Sequence, residues 1–381
     1  MKILFIFYQY PLHPQGSYFQ EFLNKVAEKV DQVYLLASHY PKGRFKKSKN
    51  LTIFWLPFVK LPFIGEFLFI LRALLKTIFT KALYQVDLVN SIGLRGVLAG
   101  WYLKKRFGIP LVCTIELLNE GREWRNRVVY FLSRFLLTRA PIDKYICWSD
   151  YYWKRHLKRW GISKEKVVII PAGIDVRAYH PKISGEKIKR KYAFDSPLIV
   201  FAKPLYLNHP NTSAAKILVE AVALLGPKLE ARLLIGSGEG QREIQNLAHN
   251  LGVASQVDFM PKVPFPKIPQ YLAAADLIVL PFTYASTTAR SLLEAMAMGK
   301  PIITTPIGEI KYMLKNEFHA LLVKNQPKEI AEAMTTLIED KNLAKKLGRN
   351  ARHLALKRYS LDKIVQETIS CFFLGYKKSL K

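Results

Sequence analysis

The sequence predicts an α/β protein built from two Rossmann-like domains. Three observations carry this. With 381 residues, half of them hydrophobic, the chain is long enough for two domains of ordinary size with substantial cores. It opens on a strand, a glycine-bearing loop and a helix: Met1–Tyr10 is an apolar run, Pro11 breaks it, PLHPQGS forms the loop, and Phe19, Phe22, Leu23 and Val26 recur at helical spacing. A second unit of this kind lies far downstream. Asp276 to Gly308, DLIVLPFTYASTTARSLLEAMAMGKPIITTPIG, reads as strand, loop, helix, turn and strand.

The elements follow in order. Val33–Ala37 and Ile53–Val59 are apolar segments separated by the basic loop Lys42–Lys49. Phe63–Val86 is long and very apolar, but Arg72 and Lys76 interrupt it. Each would cost about 2.5–3.5 kcal/mol near a bilayer centre, so the segment is not expected to span a membrane. Arg72, Lys76 and Thr80 share one helical face, and apolar side chains cover the remainder. Two readings stand: a helix lying in a membrane interface, or an ordinary buried helix. Strands at Val86–Ser91 and Leu111–Ile115 flank the helix Gly93–Phe107. Glu116 follows at a strand's carboxyl end, where α/β folds place ligands; capping the next turn is the alternative. Gly121–Arg139 is a second basic, aromatic helix, with Arg122, Arg125, Arg127 and Arg134 among its cations. Tyr145–Trp148 and Lys166–Gly173 are strands around the helix Tyr151–Trp160.

The polar, basic stretch Tyr179–Lys191 reads as the linker, dividing residues 1–180 from 181–360. In the second part, strands are expected at Leu198–Phe201, Ala231–Ile235, Val257–Phe259 and Leu277–Leu280. Helices are expected at Thr212–Leu224, Pro327–Ile338, Asn342–Leu356 and Leu361–Tyr376.

Charge is the unusual bulk quantity. The chain carries +29, of which residues 1–180, with 29 basic and 12 acidic side chains, hold +17. Such an excess calls for an anionic partner: a membrane surface, a nucleic acid or a phosphorylated substrate. No helix-turn-helix, zinc-finger or RNP pattern accompanies it, so nucleic acid is not the expected partner. Three scattered cysteines form no Cys-x-x-Cys, no His-Glu-x-x-His occurs, and no Asp-x-Asp is present. Neither a metal nor a cofactor is expected, and the thiols suit a reducing compartment. Lys2 is followed at once by a strand-like run and a proline, which does not read as a signal peptide.

The stretch from Ser286 to Gly299 carries the chemistry. Ser286 and Thr288 are N-cap residue types before a helix whose first-turn N–H groups, at Ala289, Arg290 and Ser291, favour an anion. Arg290 opposes the helix dipole by about 0.3–1 kcal/mol, a sign that a bound phosphate would reverse. The competing reading pairs it with Glu294 one turn later; Glu294 itself reads either as a site residue or as a solvated helix carboxylate.

This stretch, followed by Lys300-Pro301, resembles the nucleotide-sugar motif of glycosyltransferase family four, the retaining group with the GT-B fold, in which two Rossmann-like domains with parallel sheets face each other across a cleft. Glu294 matches the second glutamate of that motif, and Ser286 stands in place of the first. Ile170–Asp175 resembles the family's interdomain crossing, with Ala172 where asparagine is usual. Lys203 matches the arginine that grips the donor diphosphate, and Asn208 or His209 replaces the accompanying lysine. GSGEG resembles a family turn, Lys262-Val263 the loop that meets the base, and Gly16 the glycine beside the donor phosphates.

The resemblance implies that a UDP- or GDP-sugar lies mainly on the C-terminal domain and that a hexose passes to an acceptor hydroxyl with retention. Glu294 would hold the ribose. Lys203, Arg290 and the N–H groups of Ala289 to Ser291 would stabilise the leaving diphosphate without metal, and Glu116 would stand beside the reacting sugar. The final helix, 361–381, would return to the N-terminal domain. The basic face and the two amphipathic helices point to a lipid-linked or cell-surface glycan acceptor and to a cytoplasmic protein held peripherally at the inner face of a membrane. A soluble acceptor, or a nucleotide-sugar-binding protein without turnover, are the alternatives.

Overall fold

In a computed structural model, described over residues 1–8, 18–38, 47–57, 59, 64–115, 124–193, 195–226, 229–283 and 289–379 (backbone only at 18, 124–129 and 375–379), the chain divides into two α/β units. The first comprises Met1–Pro171 with Asp362–Lys381, the second Ala172–Leu361. Each is organised on a parallel sheet. The first sheet is formed by β1 (Lys2–Phe7), β2 (Gln32–Ala37), β3 (Leu51–Trp55), β4 (Leu88–Ile92), β5 (Leu111–Ile115), β6 (Lys144–Cys147) and β7 (Val167–Ile169), in the order β3-β2-β1-β4-β5-β6-β7. The second is formed by β8 (Leu198–Phe201), β9 (Arg232–Gly236), β10 (Val257–Met260), β11 (Leu277–Leu280), β12 (Ile302–Thr304) and β13 (Leu321–Leu322), in the order β10-β9-β8-β11-β12-β13.

Parallel pairing forces each connection to cross a face of the sheet, and the crossing helices bury both faces. The central strands β4, β5, β8 and β11 are therefore buried at every residue. In both sheets the order reverses once, between β1 and β4 and between β8 and β11. Ligands of open α/β sheets bind outside the strand carboxyl ends at such a switch point.

The boundary differs from the linker expected at Tyr179–Lys191. The chain enters the second unit at Ala172, and that stretch belongs to it. Tyr179 is 2% exposed in the second core, and Glu186–Tyr192 is a helix. A Cβ on Gly185 would lie 2.1 Å from the backbone nitrogen of Ala274. Lys189, one of the cations that made the segment look solvated, pairs with Asp276 at 2.6 Å. Ile174 donates its N–H to the carbonyl of Tyr359, and its own carbonyl accepts from Leu361 N–H. The helix Leu361–Ser379 then packs in the first unit, where Lys25 meets Asp362 at 2.6 Å and the Phe372 ring stands edge-on to Phe5 at 5.9 Å.

Two helices of the first unit flank the turn Leu94–Gly96. One is Ile64–Phe79, the other Trp124–Arg139. The first buries the face carrying Gly65, Phe69, Ala73 and Thr77. Its large residues Ile64, Phe67, Leu71, Leu75 and Phe79 form an outward stripe, each 40–80% exposed. Phe131, Leu132 and Phe135 of the second helix are exposed as well. An ordinary amphipathic helix turns its large apolar residues inward; this one packs Phe69 into the first core and leaves five other large apolar side chains outward.

Candidate functional site

The second sheet's switch point gathers a compact set of charged and aromatic side chains. Lys203 leaves β8 and Phe282 leaves β11, and the Lys203 ammonium sits 5.1 Å from the Phe282 ring centre. The helix Arg290–Ala297 begins nine residues after Pro281 and carries Glu294 on its buried side. Its N-cap, Ala289, offers no side-chain hydrogen bond. The first-turn N–H groups, which have no acceptor within the helix, are thus not capped by that residue. The Ser291 hydroxyl is buried and has no hydrogen-bond partner among the described residues.

Glu294 is 8% exposed, so the solvated-carboxylate reading is excluded. Its Oε1 accepts from Arg290 Nε at 2.9 Å and from the Tyr179 hydroxyl at 3.1 Å. The pairing of Arg290 with Glu294 therefore exists, and it is a feature of the site. The Arg290 guanidinium also lies 4.0 Å from the ring centre of Phe265. Burial pushes the Glu294 carboxyl above the usual carboxylate range, opposed by Arg290, Tyr179 and Lys203. Burial pushes the Lys203 ammonium below the usual lysine range, and the charge of Glu294 pulls it back. Each charged group is costly to hold there alone, and each lowers the cost of the other.

The glycine turn after β9 sets the height of Lys203. A Cβ on Gly236 would lie 2.1 Å from the Lys203 carbonyl oxygen, and one on Gly238 would lie 1.9 Å from that of Leu205. Leu205 N–H donates to Ser237 O at 3.2 Å across this contact. Gly236→Ala must displace the Lys203 backbone. Overpacking of this kind costs about 1–3 kcal/mol, so the variant is expected to unfold at lower denaturant and to bind nucleotide more weakly. An unchanged denaturation midpoint would show that the loop yields freely.

Asn208 has a positive φ of 52° and is exposed at the turn into the helix Pro210–Ala223. His209 caps that helix, its Nδ1 accepting from Asn211 N–H at 3.1 Å, so this ring nitrogen is engaged. Lys262 is exposed, and Val263 is half-buried against the core in the loop that supplies Phe265. Arg72 donates to Pro57 O at 2.8 Å, Lys76 lies 5.2 Å from the Phe54 ring centre, and Arg134 is exposed. Gly16, Glu116, Arg122, Ser286 and Thr288 lie outside the described residues, as do the side chains of Arg125 and Arg127. Among the described residues no cluster of His, Cys, Asp and Glu could hold a metal ion. No described helix is long and apolar enough to cross a membrane.

Three site residues escape sequence reasoning: Tyr179, Phe265 and Phe282. Tyr179 and Phe282 lie in irregular segments and Phe265 opens a single 3-10 turn, all too short for a periodic pattern to mark an aromatic side chain. The available signal was that strands and motif residues converge on one sheet edge, so their neighbouring loop aromatics must line it.

Comparison with known proteins agrees with this architecture. Residues 15–178 match the family described as Glycosyltransferase Family 4, and residues 192–354 match Glycosyl transferases group 1. The D-inositol 3-phosphate glycosyltransferase of Actinosynnema mirum is 26% identical over 313 residues, covering 75% of this chain and 72% of that protein. Sucrose-phosphate synthase from Thermosynechococcus elongatus superposes with a TM-score of 0.81 at 18% identity, over 99% of each chain. Anabaena Alr3699/HepE, in complex with UDP, superposes with a TM-score of 0.76 at 18% identity, over 97% of this chain and 99% of that one. With two Rossmann-like units on parallel sheets and a motif that runs from the β11 loop through Glu294 to Gly299, the chain belongs to the glycosyl transferases of group 1, glycosyltransferase family 4, of the GT-B class.

Proposed function

We propose that this protein transfers a hexose, with retention, from a UDP- or GDP-sugar to a hydroxyl of a membrane-associated acceptor. The observation that carries the reading is the buried Glu294 facing two cations at the switch point of the second sheet. Anabaena Alr3699/HepE has been crystallised with UDP and with UDP-glucose, which supports a nucleotide-sugar donor. In this reading Glu294 receives the ribose hydroxyls. As the bond between the anomeric carbon and the phosphate oxygen breaks, charge collects on the β-phosphate. In this reading Lys203, Arg290 and the N–H groups of Ala289 to Ser291 stabilise that charge. Neither cation needs much reorganisation at that moment, because Lys203 already rests beside Phe282 and Arg290 is already held by Glu294 and Phe265.

The acceptor reading is supported by the outward stripe on Ile64–Phe79. Fully burying a large apolar side chain stabilises by about 1.5–3 kcal/mol, and five stand exposed on one helix face of a chain with net charge +29. A helix with apolar residues outward and cations beside them suits an anionic bilayer surface. The test follows nucleotide release from UDP- and GDP-sugars with lipid extracts presented in anionic vesicles, alongside co-sedimentation. Wild type is expected to sediment with anionic vesicles, less so as salt rises. Phe67→Asp with Phe79→Asp is expected to stay in solution and to lose turnover on the lipid acceptor. Equal sedimentation of both proteins would exclude this surface. Turnover only on water-soluble acceptors would exclude the membrane acceptor.

A further inference from the structure

We propose that Tyr179 is a positioning residue for the nucleotide, fixing one oxygen of Glu294 so that the other is presented to the ribose hydroxyls. The inference rests on the reading of Glu294 as the ribose carboxylate. Both donors that reach Glu294 converge on the same atom, Oε1: the Tyr179 hydroxyl at 3.1 Å and Arg290 Nε at 2.9 Å. Oε2 accepts from no described residue. A carboxylate held at one oxygen by two donors from different elements cannot rotate without breaking one of them, so its second oxygen keeps a defined direction.

The chain around Tyr179 is built to hold this hydroxyl in place. Arg352 Nη1 donates to the Tyr179 carbonyl at 3.3 Å and also to the carbonyl of Ala297, the last residue of the helix that carries Glu294. Tyr179 N–H donates to Asp175 O at 2.9 Å. The segment is thus tied to that helix at two places, by the phenol and by Arg352. The Tyr179 ring also packs beside Phe265 at 6.4 Å, the ring over which the Arg290 guanidinium lies. Both donors to Oε1 therefore share one aromatic support. For packing alone a phenylalanine would suffice. A buried hydroxyl costs free energy unless it is hydrogen-bonded, and this one is spent on Glu294.

The test uses Tyr179→Phe, which keeps the ring in the core, and titrates UDP and GDP with their 2′,3′-dideoxy analogues by calorimetry. The ribonucleotide that binds wild type is expected to bind the variant about tenfold more weakly, the scale of one hydrogen bond to a charged group. Its dideoxy analogue is expected to bind both proteins alike. The charged and titrating groups that face Glu294 are Arg290 on its own helix, Lys203 at the end of β8 and Tyr179 on the incoming segment. Loss of the phenol removes a group that favours the ionised carboxyl, so the variant's binding should recover toward higher pH than wild type's. Equal loss for ribose and dideoxyribose ligands, or no loss for either, would overturn the proposal. If Glu294→Gln leaves ribonucleotide binding intact, the ribose reading itself fails; if Glu294→Gln weakens binding and Tyr179→Phe does not, only the role of Tyr179 fails.

Discussion

Glu294→Gln is expected to melt at a higher temperature than wild type at neutral pH while losing most of its affinity for nucleoside diphosphate. The carboxyl is buried, and its titration is pushed upward chiefly by burial, with the favourable pull of Arg290, Tyr179 and Lys203 smaller than that cost. A carboxyl whose folded-state pKa is raised contributes stability below its ordinary value, near 4.3, and that contribution is lost as pH rises through the folded value. Above the ordinary carboxylate range wild type therefore bears the cost either of ionising a buried group or of keeping its proton. Glutamine has the same shape and still offers an oxygen to Tyr179 and Arg290. The Arg290 side chain keeps a third of its surface in solvent and rests on Phe265, so it is not stranded by the change. Each kcal/mol relieved raises the melting temperature by about 2–4 °C in a domain of this size. The variant's advantage should grow as pH rises and vanish near pH 4, which melting curves of both proteins from pH 4 to 8 would reveal. A variant less stable at every pH would mean that the pair with Arg290 outweighs desolvation. Binding should fall by about tenfold or more, because ribose hydroxyls would meet a neutral amide in place of a charged acceptor.

Lys203→Met is expected to lower kcat by about 10²–10³-fold with a smaller change in KM. Removing one preorganised charge-stabilising donor from a dry site costs on that order, and methionine fills similar space beside Phe282. The ammonium is held in an environment that favours its neutral form. Wild-type activity should therefore decline on the alkaline side with a midpoint below the ordinary lysine value of about 10.4, and the variant should lack that limb. A pH–rate profile of both proteins decides the matter. An unaltered kcat, or an alkaline limb that persists in the variant, would remove Lys203 from the chemistry.

The switch-point architecture was legible because it is periodic. The run Leu277–Leu280 is a strand, Leu292, Leu293 and Met296 are buried, and Gly299 takes φ of 66° just past the helix, where a side chain would be strained. Glu294 was marked by the resemblance of Ser286–Gly299 to the family motif; its own helical spacing read equally as a solvated carboxylate. The helix start was less so: Ser286 to Thr288 look like caps, yet the helix begins at Arg290 after an uncapping Ala289. What polarity suggested failed where charged side chains found partners. Lys189 and its neighbours read as a solvated linker, but Asp276 was waiting 87 residues further along the chain. No local pattern announces a contact at that separation. The same reason hid Tyr179, whose partner Glu294 is 115 residues away. The outward stripe on Ile64–Phe79 was the reverse case. Its apolar content was obvious, and only the fold could show that the core takes the face of Gly65, Phe69, Ala73 and Thr77.

The return of the last helix to the first unit fixes an order of assembly. Phe372 packs against Phe5 of the first strand, and Asp362 meets Lys25 of the first helix. In chain order those partners are separated by the whole second domain. The helix that covers Phe5 therefore cannot pack until the chain beyond the second domain has been made. The second domain, being one uninterrupted run of chain from Ala172 to Leu361, has all of its own sequence before the first can close. The surface around Phe5 therefore gains its last cover only from chain made after the second domain, and a nascent or truncated chain lacking the final helix exposes it.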